Sequence, residues 1–272
     1  MHFGIEVVPF GRFADPKQVL QLAQAAEDSG WEGMYVWDHL VIPYGAGDPW
    51  VMLSAAAACT QRLKLLPGVA AVPRYRPENL ARLLAGLDLL SEGRVVLGAG
   101  SGGLKEDFTS FGGPEDSRAR AEMLDEGLEV ITRLWSGDAV SFRGKHYQVN
   151  GAGLQPQPVQ QPRIPVWIGG ESKPALRRAA RWDGWIIGII NEEGKFIRSP
   201  EQLASEIAYI RQHRDSDADF EVAVDGISEP GEASRAGEYA AAGATWWFES
   251  LFGLRGDLED MLARVKAGPP LR

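Results

Sequence analysis

Residues 90–103 read LSEGRVVLGAGSGG, and this stretch decides the fold. Leu90 and Ser91 end an apolar-periodic segment that Pro77 opens, and Glu92-Gly93 is a stop signal. RVVLGAG (94–100) is then a short, near-continuous apolar run, the pattern of a parallel strand buried on both faces. The glycines of 98–103 form a loop before the next helical segment, Ser117 to Trp135. Helix, buried strand, loop and helix are one turn of a repeating unit.

Working outward, the same unit recurs. Strands are predicted at FGIEVV (3–8), GMYVW (33–37), LKLLPGV (63–69), IPVWIG (164–169), GWIIGII (184–190), FEVAVDG (220–226) and ATWWFES (244–250). Helices are predicted between them: 15–30, 49–60, 77–90, 117–135, 172–181, 200–214, 231–242 and 257–266. Residues 138–150 read as a β-hairpin insertion, and KAGPPLR at the C-terminus as a frayed tail. Eight alternating units predict an α/β fold, a (β/α)8 TIM barrel, with residues 1–272 as a single domain. A doubly wound open sheet is the alternative. GAGSGG is weak as a dinucleotide fingerprint, because no acidic residue closes a suitable next strand.

The 272 residues are 44% hydrophobic and 24% charged, enough for a sizeable core, and carry a net charge of −9. That balance argues against nucleic acid or an anionic membrane as partner. Cys59 is the single cysteine, which fits a reducing cytoplasm, and MHFGIEVVPF lacks the pattern of a secretory signal. The histidines His2, His39, His146 and His213 are scattered without metal-ligand spacing, so no metal site is expected.

A barrel of this type places its site at the C-terminal ends of the strands. Asp38-His39 follows the second strand, and an imidazole there can move a proton near neutral pH. Arg74 and Arg76 follow the third, as candidates for an anionic substrate or a phosphate. Gly100, Ser101 and Gly102 follow the fourth and let a backbone approach a flat ring. Gly169, Gly170, Glu171 and Ser172 join the fifth strand to a helix, a turn suited to cradle a phosphate. Asp225 and Glu249 end the seventh and eighth strands. Trp37, Trp50 and Trp185 are candidates for an aromatic pocket wall, with Arg74 and Glu249 as its polar members.

VWDHL (36–40), DPW (48–50), PRYRPENLAR (73–82), residues 90–103, LWSGDAVSFRGKHY (134–147) and PRIPVWIGGESKPALRRAARWDGW (162–185) together resemble the luciferase-like flavin-dependent oxidoreductases. The resemblance implies a barrel with a flavin-type cofactor across its mouth. One branch uses FMN and often oxygen; another uses coenzyme F-420, a deazaflavin, for hydride transfer. Asp38-His39 is similar to the Asp-His pair of the deazaflavin branch. Gly68-Val69 matches the place of a cis peptide backing the ring in several of its members. Glu171-Ser172 is similar instead to the step that holds the FMN phosphate in luciferase. Two departures stand out. Ser101 takes the place of a phosphate-binding arginine, and Gly103 that of a catalytic glutamate of the sugar-phosphate dehydrogenases. The loop after the sixth strand is also shorter than the usual lid.

The expectation is an oxidoreductase acting on a small-molecule substrate, first as a monooxygenase using reduced FMN and oxygen, with an F-420-dependent hydride-transfer enzyme as the close alternative. A flavin reductase partner and a homodimer are compatible with it. A non-catalytic flavin-binding subunit is a third reading, which His39 and the 169–172 turn oppose.

Overall fold

The computed structural model describes every residue except Tyr44, Glu192, Leu271 and Arg272. The strands are β1 His2–Val7, β2 Gly33–Val36, β3 Lys64–Pro67, β4 Ala70–Ala71, β5 Leu97–Gly100, β6 Val140–Arg143, β7 Gln148–Ala152, β8 Val166–Gly169, β9 Gly184–Ile187, β10 Glu221–Gly226 and β11 Trp246–Leu251. The helices are α1 Pro16–Asp28, α2 Pro49–Cys59, α3 Pro77–Leu90, α4 Glu106–Thr109, α5 Ser117–Leu134, α6 Lys173–Ala179, α7 Pro200–Gln212, α8 Ala233–Ala241 and α9 Leu258–Lys266.

Among the described residues, nine parallel strands run in the order β3-β2-β1-β11-β10-β9-β8-β5-β4. β3 and β4 are one barrel strand interrupted at Gly68-Val69. The first piece pairs with β2 and the second with β5. Closure comes from Leu65, whose N–H donates to the Arg94 carbonyl and whose carbonyl accepts the Val96 N–H, both at 3.0 Å. The sheet is therefore the eight-unit barrel read from the sequence. β6 and β7 form the antiparallel hairpin, at nearly the expected place. Among the described residues no helix is long and apolar enough to cross a membrane.

Local chemistry explains the element boundaries. Asp15 and Asp48 each cap a helix whose first residue is proline; the Asp48 carboxylate accepts the N–H groups of Trp50 and Val51 at 2.8 and 3.0 Å. Ser199 and Gln202 form a reciprocal capping box on α7. α1 buries Val19, Leu22, Ala23 and Ala26, the spacing of one helical stripe, against the barrel wall.

Alternation along the strands separates two cores. The outer one joins sheet to helices, with Ile5, Leu65, Trp185 and Trp247 among its members. The inner one fills the barrel with Tyr35, Leu66, Val96, Trp167, Ile186, Ala223, Trp246 and Phe248. Gly4 and Gly33 make room for it, since side chains there would meet the Phe248 and Trp246 rings. The tail differs from expectation. Gly268, Pro269 and Pro270 are buried, and the Gly268 carbonyl accepts from Arg264 at 2.9 Å. The last two residues of KAGPPLR lie outside the described residues.

Candidate active site

β2 delivers Trp37, Asp38 and His39 to the C-terminal mouth, and their side chains go three ways. Asp38 turns into the wall. Its carboxylate accepts from the Ala71 N–H at 3.1 Å and the Tyr75 hydroxyl at 2.9 Å, and it is ion-paired to Arg74. Trp50 joins from α2, its indole N–H donating to the Tyr75 hydroxyl at 3.0 Å. Burial and the neighbouring Asp38 push the Tyr75 phenol well up, so it serves as a neutral donor.

His39 turns toward the mouth and finds a partner the sequence did not reveal. Its Nδ1 lies 2.8 Å from Oδ2 of Asp107, on the four-residue helix α4. The other oxygen of Asp107 accepts the N–H groups of Leu40 and Val41 at 3.0 and 2.7 Å. Arg74 lies 3.4 Å from the same carboxylate. Burial works to raise the Asp107 pKa, but the Val41 N–H, the His39 imidazole and the Leu40 N–H outweigh it and hold the carboxyl below its usual range. The His39 side chain keeps 21% of its surface exposed while that of Asp107 keeps 3%, so the imidazole is the member of the pair that faces solvent.

Arg74 is placed differently from the ligand-binding role expected of it. Its side chain is 6% exposed and lies between Asp38 and Asp107. Burial opposes its charge, but Asp38 above all, and then Asp107, hold the guanidinium protonated. It ties the strand-end carboxylate to the one that orients His39.

Below the mouth lies a second polar group, inside the barrel. Glu6 of β1 and Asp225 of β10 are 1% and 4% exposed. The Trp37 indole N–H and the Ser250 hydroxyl donate to Glu6, and Ile189 N–H donates to Asp225 at 2.7 Å. Burial raises both carboxyls, and for Asp225 the nearby Glu6 raises it further. Asp225 was legible as a strand end. Glu6 was hidden inside the apolar run FGIEVV.

The glycine positions divide. A Cβ at Gly100 would lie 2.6 Å, and one at Gly169 2.8 Å, from methyls of Val69. These two glycines therefore admit the Val69 side chain between β5 and β8. Gly102, at φ +86°, would meet the Phe108 ring, while the space over Gly103 is open. Ser101, between Gly100 and Gly102, is half-buried. The Gly68-Val69 peptide is cis, as the resemblance implied.

The 169–172 turn keeps a form that fits a phosphate. Gly170 sits at φ +116°. Its carbonyl is fixed by the Trp185 indole N–H at 2.8 Å. Gly170, Glu171 and Ser172 are exposed, and among the described residues no acceptor takes the Glu171 or Ser172 N–H. Ser172 caps α6 through the Ala175 N–H at 3.3 Å, and the Glu171 carboxylate turns aside to Arg198 at 2.8 Å. The turn can hold the phosphate end of a flavin or deazaflavin, and the His39 side of the mouth can face its ring.

Besides Arg74, two more expected pocket members are elsewhere. Trp185 is fully buried in the outer core and acts on the mouth only by holding Gly170. Glu249 is also fully buried and bonds the Ser228 hydroxyl at 2.7 Å, Arg255 at 2.8 Å and Arg264 at 3.3 Å. On β11 the alternate residues Trp246, Phe248 and Ser250 point inward, so Glu249 faces the helices. Trp37 remains at the mouth, its ring edge-on to His39 with centroids 5.8 Å apart.

The chain has relatives among known proteins. The family model described as luciferase-like monooxygenase matches residues 2–248. The uncharacterized protein Rv0953c of Mycobacterium tuberculosis is 33% identical over 208 residues, covering 68% of this chain and 72% of that protein. Among solved structures, monooxygenase RslO1 from Streptomyces bottropensis superposes with TM-score 0.78 at 23% identity, covering 98% of this chain and 97% of that one. The coenzyme F420-dependent tetrahydromethanopterin reductase of Methanopyrus kandleri gives 0.77 at 21%, covering 98% and 96%. An F420-dependent secondary alcohol dehydrogenase gives 0.82 at 16%, covering 100% and 99%. With the barrel and the family match in agreement, the chain belongs to the luciferase-like monooxygenase family.

Proposed function

We propose that this protein is a hydride-transfer oxidoreductase using a deazaflavin cofactor of the coenzyme F-420 type on a small carbonyl or alcohol substrate. The observation that carries this reading is the His39–Asp107 pair. When bound, such a cofactor supplies or takes the hydride. Hydride transfer to a carbonyl needs a proton for the oxygen, and the reverse reaction needs a base for the hydroxyl. Asp107 accepts from Nδ1–H and fixes one imidazole tautomer, which leaves Nε2 of His39 to exchange that proton at the mouth. The Glu171 and Ser172 N–H groups hold the phosphate end, and Trp185 keeps that turn in place. The dyad moves the weight away from the FMN expectation, because a hydride delivered to a carbonyl carbon must be matched by a proton at its oxygen, and this pair is placed at the mouth to supply one.

A monooxygenase using reduced FMN, served by a flavin reductase, is the second reading. It is favoured by the description of the family model and by the Glu171-Ser172 turn. Titration of the purified protein with F-420 and with FMN, followed by fluorescence, tests the choice. Tighter binding of F-420 is expected, with His39→Ala keeping that affinity and losing hydride transfer. Binding of FMN alone, with substrate-dependent oxygen uptake, would replace the proposal by the second reading.

A further inference from the structure

Two carboxyls in contact inside a barrel need a physical account. Glu6 and Asp225 sit across β11 from one another, and each is within hydrogen-bonding reach of the other. The groups that face them are neutral donors: the Trp37 indole N–H, the Ser250 and Tyr35 hydroxyls, and the Ile189 and Ile190 N–H groups. Burial and the two carboxyls raise the Tyr35 phenol well above its ordinary value, so it too is a neutral donor. Arg198 bonds the Gly188 carbonyl beside Asp225, but it is already paired with Glu171 and Glu206. Two buried negative charges without a cation of their own are strongly disfavoured, so one proton stays.

The donor count says where. An ionised carboxylate offers about four lone-pair sites. Trp37, Ser250 and Tyr35 fill three on Glu6, and an Asp225 O–H fills the fourth. Asp225 keeps its other oxygen, Oδ1, as acceptor for Ile189, and the two N–H groups that face it, of Ile189 and Ile190, are fewer than the three donors on Glu6. The reverse assignment would set a Glu6 O–H against three donors.

We propose that Glu6 and Asp225 share a single proton carried by Asp225, and that this acid pair is a positioning device for the Trp37 indole and, through its edge-on contact, for the His39 imidazole. Trp37 links the pair to His39: Glu6 accepts its N–H, and its ring meets the His39 ring, with the Phe10 ring against both. The positioning half of the inference rests on the role given to His39 above; the shared proton does not.

The test exploits the asymmetry. In the full-length protein without cofactor, an infrared carbonyl band of a protonated carboxylic acid is expected at neutral pH. It should vanish in Asp225→Asn. That variant keeps a donor toward Glu6 and an acceptor toward Ile189, so its fold and the Trp37 position should be retained. Glu6→Gln sets an amide against three donors and should lose stability and the Trp37 orientation, read from near-ultraviolet circular dichroism. The raised carboxyl also fixes a sign: wild type loses stability as pH rises through the folded value, and Asp225→Asn loses this dependence. With substrate in hand, wild type should show an alkaline limb in turnover that Asp225→Asn lacks. Absence of the infrared band, or Glu6→Gln tolerated while Asp225→Asn is not, would overturn the proton assignment. A present band with an unchanged turnover profile in Asp225→Asn would overturn the positioning role alone.

Discussion

His39 and Asp107 are separated by 68 residues of sequence and by 2.8 Å of space, imidazole Nδ1 to carboxylate Oδ2. The carboxylate is held from three sides, by Leu40 N–H, Val41 N–H and Arg74, so the imidazole inherits a fixed orientation. Asp107→Asn removes the charge and puts an amide donor within reach of Nδ1. Turnover should fall by about 10²-fold or more while KM moves little, the size expected for a mispositioned acid–base group. A parallel fall in His39→Ala, without addition in the double variant, would show that the two act as one unit.

The same carboxylate gives a pH dependence of stability. Asp107 is held below its ordinary pKa in the folded protein. Its contribution is therefore present above the unfolded value, about 4 for aspartate, and is lost as pH falls through the lowered folded value. Urea midpoints measured from neutral pH down to acid should fall less steeply in Asp107→Asn than in wild type.

Much of this architecture is written locally in the chain, and the site is written less so. Asp-Pro and Ser-Pro pairs mark helix starts at Asp15, Asp48 and Ser199, and each cap is made by atoms two or three residues away. The strands are legible because both faces are buried. That same feature hides Glu6: in FGIEVV a single carboxylate interrupts an apolar run, and only closure of the barrel brings Asp225 to it. Asp107 is hidden for another reason. Its helix is four residues long, too short for any periodicity. Glu249 was legible as a strand end and Trp185 as an aromatic wall candidate, but which face of the wall each would take depended on register. Both turn outward.

Glu27 gives a prediction about the barrel alone. Its carboxylate, on the last turn of α1, accepts the N–H groups of Gln61 at 2.8 Å, Arg62 at 2.7 Å and Leu63 at 3.1 Å, just before β3. Burial works to raise its pKa, and those three donors, Arg62 first, outweigh it and lower the value. Glu27→Ala leaves the donors without their acceptor and should cost about 1–3 kcal/mol. Equilibrium urea denaturation at neutral pH measures it. The difference from wild type should shrink as pH falls through the folded value, where wild type loses the same charge.

Trp185→Phe separates the ring from its N–H. The aromatic bulk stays in the core, and the bond to the Gly170 carbonyl is lost. The 169–172 turn should then loosen, weakening binding of the phosphate-bearing cofactor by about 1 kcal/mol, or roughly fivefold in Kd. Fluorescence titration with F-420 and FMN reads this directly. Riboflavin, which lacks the phosphate, is the control: an equal loss there would place the effect on the ring and remove the turn from the phosphate role.

Arg74 offers the sharpest contrast between a ligand-binding and an internal role. A surface arginine that grips a substrate can be removed at little cost to the fold. Arg74 is instead 6% exposed between the carboxylates of Asp38 and Asp107, whose side chains are 2% and 3% exposed. Arg74→Met keeps the length and apolar stem but leaves two buried carboxylates without their cation. Breaking such a pair costs about 3–5 kcal/mol. The loss should appear first as a lower denaturation midpoint and then as a rise in the pKa of Asp107, so that the variant recovers part of its stability at lower pH. Substrate affinity should follow only through the displaced His39. A variant as stable as wild type that lost anionic-ligand affinity alone would return Arg74 to the pocket wall.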